Sequence, residues 1–210
     1  MEFIFDSLLR DIVKHNGSDK QGFFMERLTL NTERLLLKEP TRDMIEEILH
    51  CLEENKNFHK PYEPIRPKKY YSHQYWENLI SKIEENEKQE QGLQLFLVNS
   101  VGSIIGSLSF SNIVRGVFQA CYLGFSLAEK EQGKGLMQEA LRASIQFMFT
   151  ERNIHRIMAN YLLDNLRSER LLMRLGFEKE GIAKEYLLIN GKWQDHILTS
   201  LVNKNWNNGY

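Results

Sequence analysis

Apolar and polar residues follow two different periods along this chain, one typical of strands and one typical of helices. Three apolar segments in its middle are separated by short polar turns, which predicts an antiparallel meander. Elsewhere apolar residues recur at helical spacing, as Met137, Leu141, Ile145 and Met148 do over about three turns. The pattern therefore predicts a mixed α+β protein.

The predicted order of elements is β-α-α-β-β-β-α-β-α-β-β. Residues 58–69 contain three prolines and are predicted to form a loop. The predicted strands are 28–38, 93–99, 103–112, 118–127, 155–161 and two closing strands that meet at Asn190 and Gly191. The predicted helices begin at Thr41, span 72–89, follow the loop at 132–135, and span 168–175.

The first 24 residues differ from the rest of the chain. An apolar stripe near Leu8 and Leu9 could form a short helix, but Glu2 and Asp6 lie at its start and no basic segment leads it. This pattern argues against a secretion signal. We expect residues 1–24 to be a helical or disordered extension and residues 25–206 to form one domain.

Composition narrows the class of protein. Hydrophobic residues make up 42% of the 210-residue chain, enough for a sizeable core. The formal net charge of −1 argues against nucleic acid as the main partner. Cys51 and Cys121 lie far apart, without the spacing of a metal site, which indicates a reducing compartment and no structural metal. No apolar run approaches the length that crosses a bilayer.

Gln132-Gly133-Lys134-Gly135, which we call the glycine loop, lies between a predicted strand and a predicted helix. Glycines there let the backbone approach a ligand, and the free N–H groups of a helix start attract phosphate. No Ser or Thr follows Lys134 as in a nucleoside-triphosphate loop, and Gln138 replaces the third glycine of a dinucleotide loop. The alternative is a turn that merely caps a helix.

Several segments together resemble the GNAT N-acetyltransferase superfamily. Residues 132–137 resemble its pyrophosphate loop, [QR]-x-x-G-x-[GA], although Met137 replaces the final small residue. Residues 165–168 resemble its N-x-x-S turn, the Gly176-Phe177 pair resembles the start of a late strand, and residues 191–196 resemble its final hairpin.

The RimJ/RimL branch is the most similar part of this superfamily, because Q-G-K-G-[LY]-M is a usual form of its loop. Its alanine-specific members also resemble residues 110–116, 155–161 and 180–189, and the resemblance extends from about residue 28 to 206. It implies an enzyme that transfers acetyl from acetyl-CoA, without a metal, to the N-terminal alanine of the fifth small-subunit ribosomal protein.

The fold that this resemblance implies is a mostly antiparallel, seven-stranded sheet flanked by four helices. Its fourth and fifth strands run parallel and splay apart, which leaves main-chain groups free to pair with the pantetheine arm. The implied cofactor-binding residues are Phe125, Ser126, Leu127, Gln132, Gly133, Lys134, Gly135, Leu136, Met137, Asn160, Asn165 and Ser168. Backbone N–H groups of 125–127 would also stabilise the developing oxyanion.

Amide formation requires that the incoming ammonium lose a proton and that the leaving thiolate be neutralised. Glu185 is the candidate base, acting through a water, and Ser168 is the candidate proton donor. A surface glutamate and an ordinary helix cap are the alternatives. Tyr62 and Glu63 are the candidate contacts to the acceptor. The alternative for their proline-rich loop is that the prolines only shape an ordinary turn.

The sequence is also consistent with two other functions. The acceptor could be a small amine such as a polyamine, an amino acid or an antibiotic, or the chain could be a weakly catalytic factor of ribosome assembly. The expected partners are a ribosomal protein and a pre-ribosome, in the cytoplasm, with neither DNA nor a membrane. The oligomeric state, monomer or homodimer, is left open.

Overall fold

A mixed nine-stranded sheet forms the centre of the structure, a computed structural model that describes residues 27–207. The strands are β1 (Thr29–Asn31), β2 (Leu36–Lys38), β3 (Leu93–Val98), β4 (Ile104–Val114), β5 (Ala120–Leu127), β6 (Arg156–Met158), β7 (Tyr161–Leu162), β8 (Glu178–Ile189) and β9 (Lys192–Val202). Their order is β1-β2-β3-β4-β5-β6-β9-β7, with β8 also paired to β9. The predicted extension, 1–24, lies outside the described residues.

Within residues 27–207, four helices pack on this sheet, as predicted. They are α1 (Ile45–His59), α2 (His73–Lys88), α3 (Leu136–Thr150) and α4 (Leu166–Arg174). Helix α1 continues to His59, inside the segment predicted as loop, and short 3-10 turns at Lys60–Tyr62 and Lys68–Tyr71 lead towards α2. Ser72 ends this linker, because its hydroxyl caps α2 by accepting a hydrogen bond from Tyr75 N–H.

Two predicted strands are each divided in the structure, so that seven predicted strands become nine. Residues 28–38 form the β1–β2 hairpin, closed by the Thr32 N–H, which donates to Leu35 C=O at 2.9 Å. Residues 155–161 divide into β6 and the start of β7, both of which pair with β9. The sequence does not mark either bend with glycine or proline, so the pattern alone predicted continuous strands.

Helices cover both faces of the sheet, which makes three layers. Helices α3 and α4 share one buried cluster with the central strands, including Leu95, Leu108, Leu141, Met148 and Leu172. Helices α1 and α2 share a smaller cluster with β3 and β4, including Ile45, Ile48, Trp76, Ile80 and Phe96. This packing fixes the first turn of α3 and the end of α1 near the same end of β5.

Strands β5 and β6 are the one parallel pair among residues 27–207, and they pair over a short distance. The pairing runs from Ala120 with Arg156 to Tyr122 with Met158. Beyond Tyr122, β5 continues to Leu127 along β4, while the segment that follows β6 turns away to form β7. The predicted parallel, splayed strands are therefore present, and they leave a wedge-shaped gap along the edge of β5.

Candidate active site

The open edge of β5 presents main-chain groups to the gap. Ala128 N–H, just after the strand, donates to Ile105 C=O on the β4 side at 2.8 Å. Because successive residues direct their backbone groups to alternate sides, Phe125 and Leu127 direct theirs towards the gap. Leu127 C=O confirms this direction, since side chains from outside the sheet donate to it.

The glycine loop lies at the wide end of this gap and starts α3. Gly133 and Gly135 both have φ +77°, a left-handed conformation that favours glycine, and Gly135 is the N-cap residue of α3. Within residues 27–207, the backbone N–H groups of 133–138 donate to no other group. Helix α3 begins its own ladder with Glu139 N–H, which donates to Gly135 C=O. The loop thus offers free donors at a helix start, as an anion site requires.

The β1–β2 turn holds the glycine loop in place. Arg34 Nη1 donates to Lys134 C=O at 3.0 Å, and Arg34 Nε donates to the Glu139 carboxylate at 2.6 Å. Lys134 itself pairs with Glu131 at 2.9 Å. The sequence pattern alone does not mark Arg34 or Glu139 as site residues, because no local motif links residues about a hundred positions apart.

A cavity of about 150 Å³, which we call the central cavity, lies against the end of β5. Its lining includes nine of the predicted site residues: Tyr62, Glu63, Phe125, Ser126, Leu127, Gln132, Met137, Asn165 and Ser168. Four further residues, which were not predicted as site residues, complete it: Phe58, His59, Arg167 and Leu171. The structure therefore brings the predicted cofactor side and the predicted acceptor side into one space.

The start of α4 contributes Asn165 and Ser168 to this cavity. Asn165 is the N-cap residue, and its Oδ1 accepts a hydrogen bond from Ser168 N–H at 3.1 Å. Between them, Arg167 places its guanidinium 5.4 Å from the centre of the Phe58 ring. The cap fixes the backbone of α4 where it meets the end of α1, while the Ser168 hydroxyl makes no hydrogen bond within the described residues.

Asn160 lies between β6 and β7, where the chain turns away from β5, and its amide contacts two strands, β8 and β9. Its Nδ2 donates to Tyr186 Oη at 3.2 Å, and its Oδ1 accepts from Thr199 N–H at 3.3 Å. Burial raises the pKa of Tyr186, and the neighbouring Tyr122 adds to the shift. Both polar atoms of the Asn160 amide thus form hydrogen bonds within the protein. The predicted contact of Asn160 with a cofactor stays a prediction.

Glu185 lies on a bulge of β8, outside the residues that line the central cavity. The pairing with β9 is interrupted between Ala183 and Leu187, and Glu185 has φ +45°. Its N–H donates to Asp195 Oδ1 at 2.9 Å, and Asp195 also pairs with Lys184 at 2.6 Å. These contacts fix the backbone of the bulge and leave the Glu185 side chain exposed.

The described part of the chain contains neither a group of side chains suited to a metal ion nor a helix suited to span a membrane. Within it, no three His, Cys, Asp or Glu side chains are grouped so that they could hold a metal ion. None of its helices combines the length and the apolar character of a membrane span.

Comparison with known proteins agrees with this geometry. Residues 34–178 match the family model described as an acetyltransferase (GNAT) domain. The chain is 45% identical over 184 residues to the [ribosomal protein uS5]-alanine N-acetyltransferase of Escherichia coli, covering 87% of this chain and 95% of that protein.

Solved structures give the same result. The ribosomal-protein-S5-alanine acetyltransferase from Vibrio fischeri superposes with a TM-score of 0.82 at 36% identity, over 86% of this chain and 99% of that one. The microcin C7 self-immunity acetyltransferase MccE, solved with acetyl-CoA and AMP, superposes with a TM-score of 0.71 at 25% identity, over 81% and 93%. The resemblance predicted from the sequence is thus confirmed, and this chain belongs to the GNAT acetyltransferase family.

Proposed function

We propose that this enzyme transfers the acetyl group of acetyl-CoA to the N-terminal α-amine of a protein. The alanine terminus of a small-subunit ribosomal protein is the proposed acceptor. The observation that carries this proposal is the central cavity, which joins the open edge of β5 to Tyr62 and Glu63 on the acceptor side. The acceptor follows from the similarity to the uS5-alanine enzymes of two bacteria.

The residues of the site fit acetyl-CoA. The free N–H groups of 133–138 suit a diphosphate, and the outward-facing main chain of Phe125 and Leu127 suits the amides of a pantetheine arm. A protein of the same fold has been solved with acetyl-CoA bound. The cofactor supplies an acetyl group activated as a thioester.

The transfer step forms a C–N bond and breaks a C–S bond, and the nitrogen releases two protons in the course of it. In the proposed mechanism Glu185 takes one proton of the ammonium through a water. The Ser168 hydroxyl gives its proton to the leaving sulfur and takes the second proton of the nitrogen. The N–H groups of Phe125 and Leu127, which face the gap, stabilise the developing negative charge on the acetyl oxygen. Removing one such donor typically costs about 2.7 to 4 kcal/mol of barrier.

Glu63 is the proposed contact for the ammonium of the acceptor. It follows the 3-10 turn that ends at Tyr62, and its carboxylate is within 3.5 Å of Arg66 Nε. Its backbone C=O accepts from Asn190 N–H at 2.9 Å, which ties this segment to the β8–β9 turn. A fixed carboxylate at the cavity attracts an N-terminal ammonium and positions it for deprotonation.

The test uses the purified chain with acetyl-CoA and separate acceptors. The acceptors are a peptide with the alanine terminus of the ribosomal protein, the same peptide with a blocked terminus, polyamines and aminoglycosides. We expect thiol release with the free peptide and a mass increase of one acetyl group at its terminus. Release with the small amines alone would overturn the protein acceptor. Binding of CoA without release would favour an accessory role in ribosome assembly.

The proposed acceptor also suggests where the enzyme works. A small-subunit ribosomal protein is available as a free chain or on a pre-ribosomal particle, so we propose the cytoplasm as the compartment. Acetylation of the free peptide compared with purified pre-ribosomal particles would show which form the enzyme uses.

A further inference from the structure

The turn between β1 and β2 contacts the glycine loop through one side chain, Arg34. Its backbone N–H and its Nε donate to the two oxygens of Glu139, at 2.7 and 2.6 Å. Thr32 Oγ1 donates to the same carboxylate at 2.7 Å. Arg34 is therefore held to Glu139 both by its backbone N–H and by its guanidinium.

From this anchored position Arg34 reaches the loop itself. Nη1 donates to Lys134 C=O at 3.0 Å, and Nη2 lies 3.6 Å from the point where a Cβ on Gly135 would stand. Nη2 has no hydrogen-bond partner within residues 27–207. A free guanidinium donor thus borders the same loop whose N–H groups are free.

The charges around the loop favour Arg34 over the neighbouring Lys134 as the cation that faces an anion bound at the loop. Lys134 is already paired with Glu131. Glu139 stays ionised, because hydrogen bonds from Thr32 and Arg34 outweigh its burial and lower its pKa. Glu139 neutralises part of the Arg34 charge, but it also fixes the position of Nη2, the donor of Arg34 that has no partner within residues 27–207.

We infer that Arg34 is a positioning residue for the diphosphate of the cofactor, an inference that rests on the proposed function. By holding Lys134 C=O, Arg34 keeps the carbonyl of the loop turned away from the anion and the N–H groups turned towards it. The free Nη2 adds a charged donor beside Gly135. Lysine cannot do the same, since it lacks the planar set of donors that bridges a carboxylate and a carbonyl.

The test separates a loop-positioning role from a purely structural role by using two acetyl donors. S-acetylpantetheine carries the same thioester as acetyl-CoA but has no diphosphate. Arg34→Gln should raise the Kd of CoA, measured by calorimetry, and the KM of acetyl-CoA, each about tenfold. The KM of S-acetylpantetheine should change less than about twofold, because that donor does not reach the loop. Arg34→Lys should recover only part of the affinity.

Arg142→Gln is the control, because Arg142 is an exposed arginine on α3, the helix that begins at the glycine loop. It should leave the Kd of CoA unchanged. Glu139→Gln weakens the hold on Arg34 from the other side and should shift the same two parameters in the same direction. This second variant keeps the inference testable if Arg34→Gln does not fold.

Two results would overturn the inference. One is an unchanged Kd of CoA in Arg34→Gln, and the other is an equal loss with both acetyl donors. Neither result would contradict the proposed function. That function is contradicted separately if the unaltered enzyme binds CoA but acetylates no alanine-starting peptide.

Discussion

His59 Nε2 lies 3.0 Å from the carbonyl oxygen of Leu127 and so ties the last turn of α1 to the last residue of β5. A carbonyl oxygen only accepts, so the ring must carry its proton on Nε2. Gln132 Nε2 donates to the same oxygen at 2.8 Å. The acceptor side, the open strand edge and the glycine loop therefore meet at one atom.

His59→Ala should therefore affect both stability and acceptor use. Loss of the hydrogen bond to Leu127 should lower the free energy of unfolding by about 1 kcal/mol in a urea titration. The KM of the acceptor peptide should rise, because His59 lines the central cavity. His50→Ala, at an exposed position of the same helix, should change neither value. An unaltered acceptor KM in His59→Ala would exclude a role at the acceptor side.

Gly135→Trp should abolish binding of CoA in calorimetry. Any side chain at φ +77° strains the backbone, and indole bulk would occupy the space beside the free N–H groups of the loop. Gly102→Trp is the matched control, because Gly102 has φ +88° in the β3–β4 turn, with nothing within 4 Å of an added Cβ. It carries the same backbone strain away from the site. Equal CoA affinity in both variants would contradict the placement of the diphosphate.

Glu185→Gln should lower kcat by about 100-fold and leave the Kd of CoA nearly unchanged, if Glu185 is the base. The amide keeps the shape of the side chain but cannot accept the proton. Glu178→Gln, at an exposed position on the same strand, is the control. A near-normal kcat at every pH would remove Glu185 as base. The same assay on Glu63→Gln would then test the carboxylate that lines the cavity.

Glu87, whose carboxylate is largely buried and lies outside the site, should make the stability of the fold depend on pH. Burial raises the pKa of Glu87 to about 7, although the Arg152 guanidinium that pairs with it opposes the shift. The folded state thus binds a proton that the unfolded state releases at a lower pH. Stability should therefore fall as the pH rises from about 4.5 to 7, by roughly 1 to 3 kcal/mol.

Urea titrations at pH 5 and pH 7.5 would measure this difference. Glu87→Gln should flatten the fall, because the amide has no proton to lose. Arg152→Gln should make the fall in stability larger, because the Glu87 carboxylate would then lack the cation that opposes the rise of its pKa. A fall of the same size in all three proteins would assign the pH dependence to other groups.

Residues 1–24 are predicted to be dispensable. A chain that begins at Met25 should keep its acetyltransferase rate and its midpoint of thermal unfolding, because β1, the first strand that the structure describes, begins at Thr29. Removing three further residues deletes Arg27, which donates to Pro40 C=O at 2.6 Å and pairs with Glu84. That shorter chain should lose about 1 kcal/mol of stability. Loss of turnover on removal of residues 1–24 alone would contradict the prediction.

Most elements of the fold could be predicted because their apolar period is local. The helix that carries Leu141 and Met148 and the meander of β3 to β5 needed no long-range information. The bends inside two predicted strands could not be predicted in this way. They depend on hydrogen bonds such as Thr32 to Leu35 and on pairing with β9, a strand far along the chain.

The sequence by itself determined the family and the glycine loop, because the loop, the N-x-x-S turn at 165–168 and the apolar face of α3 are patterns of neighbouring residues. Only the tertiary structure decided what surrounds that loop. Arg34 reaches Lys134 across about a hundred residues, and His59 reaches Leu127 across 68. Such contacts form when the sheet and the helices pack, and no local pattern records them.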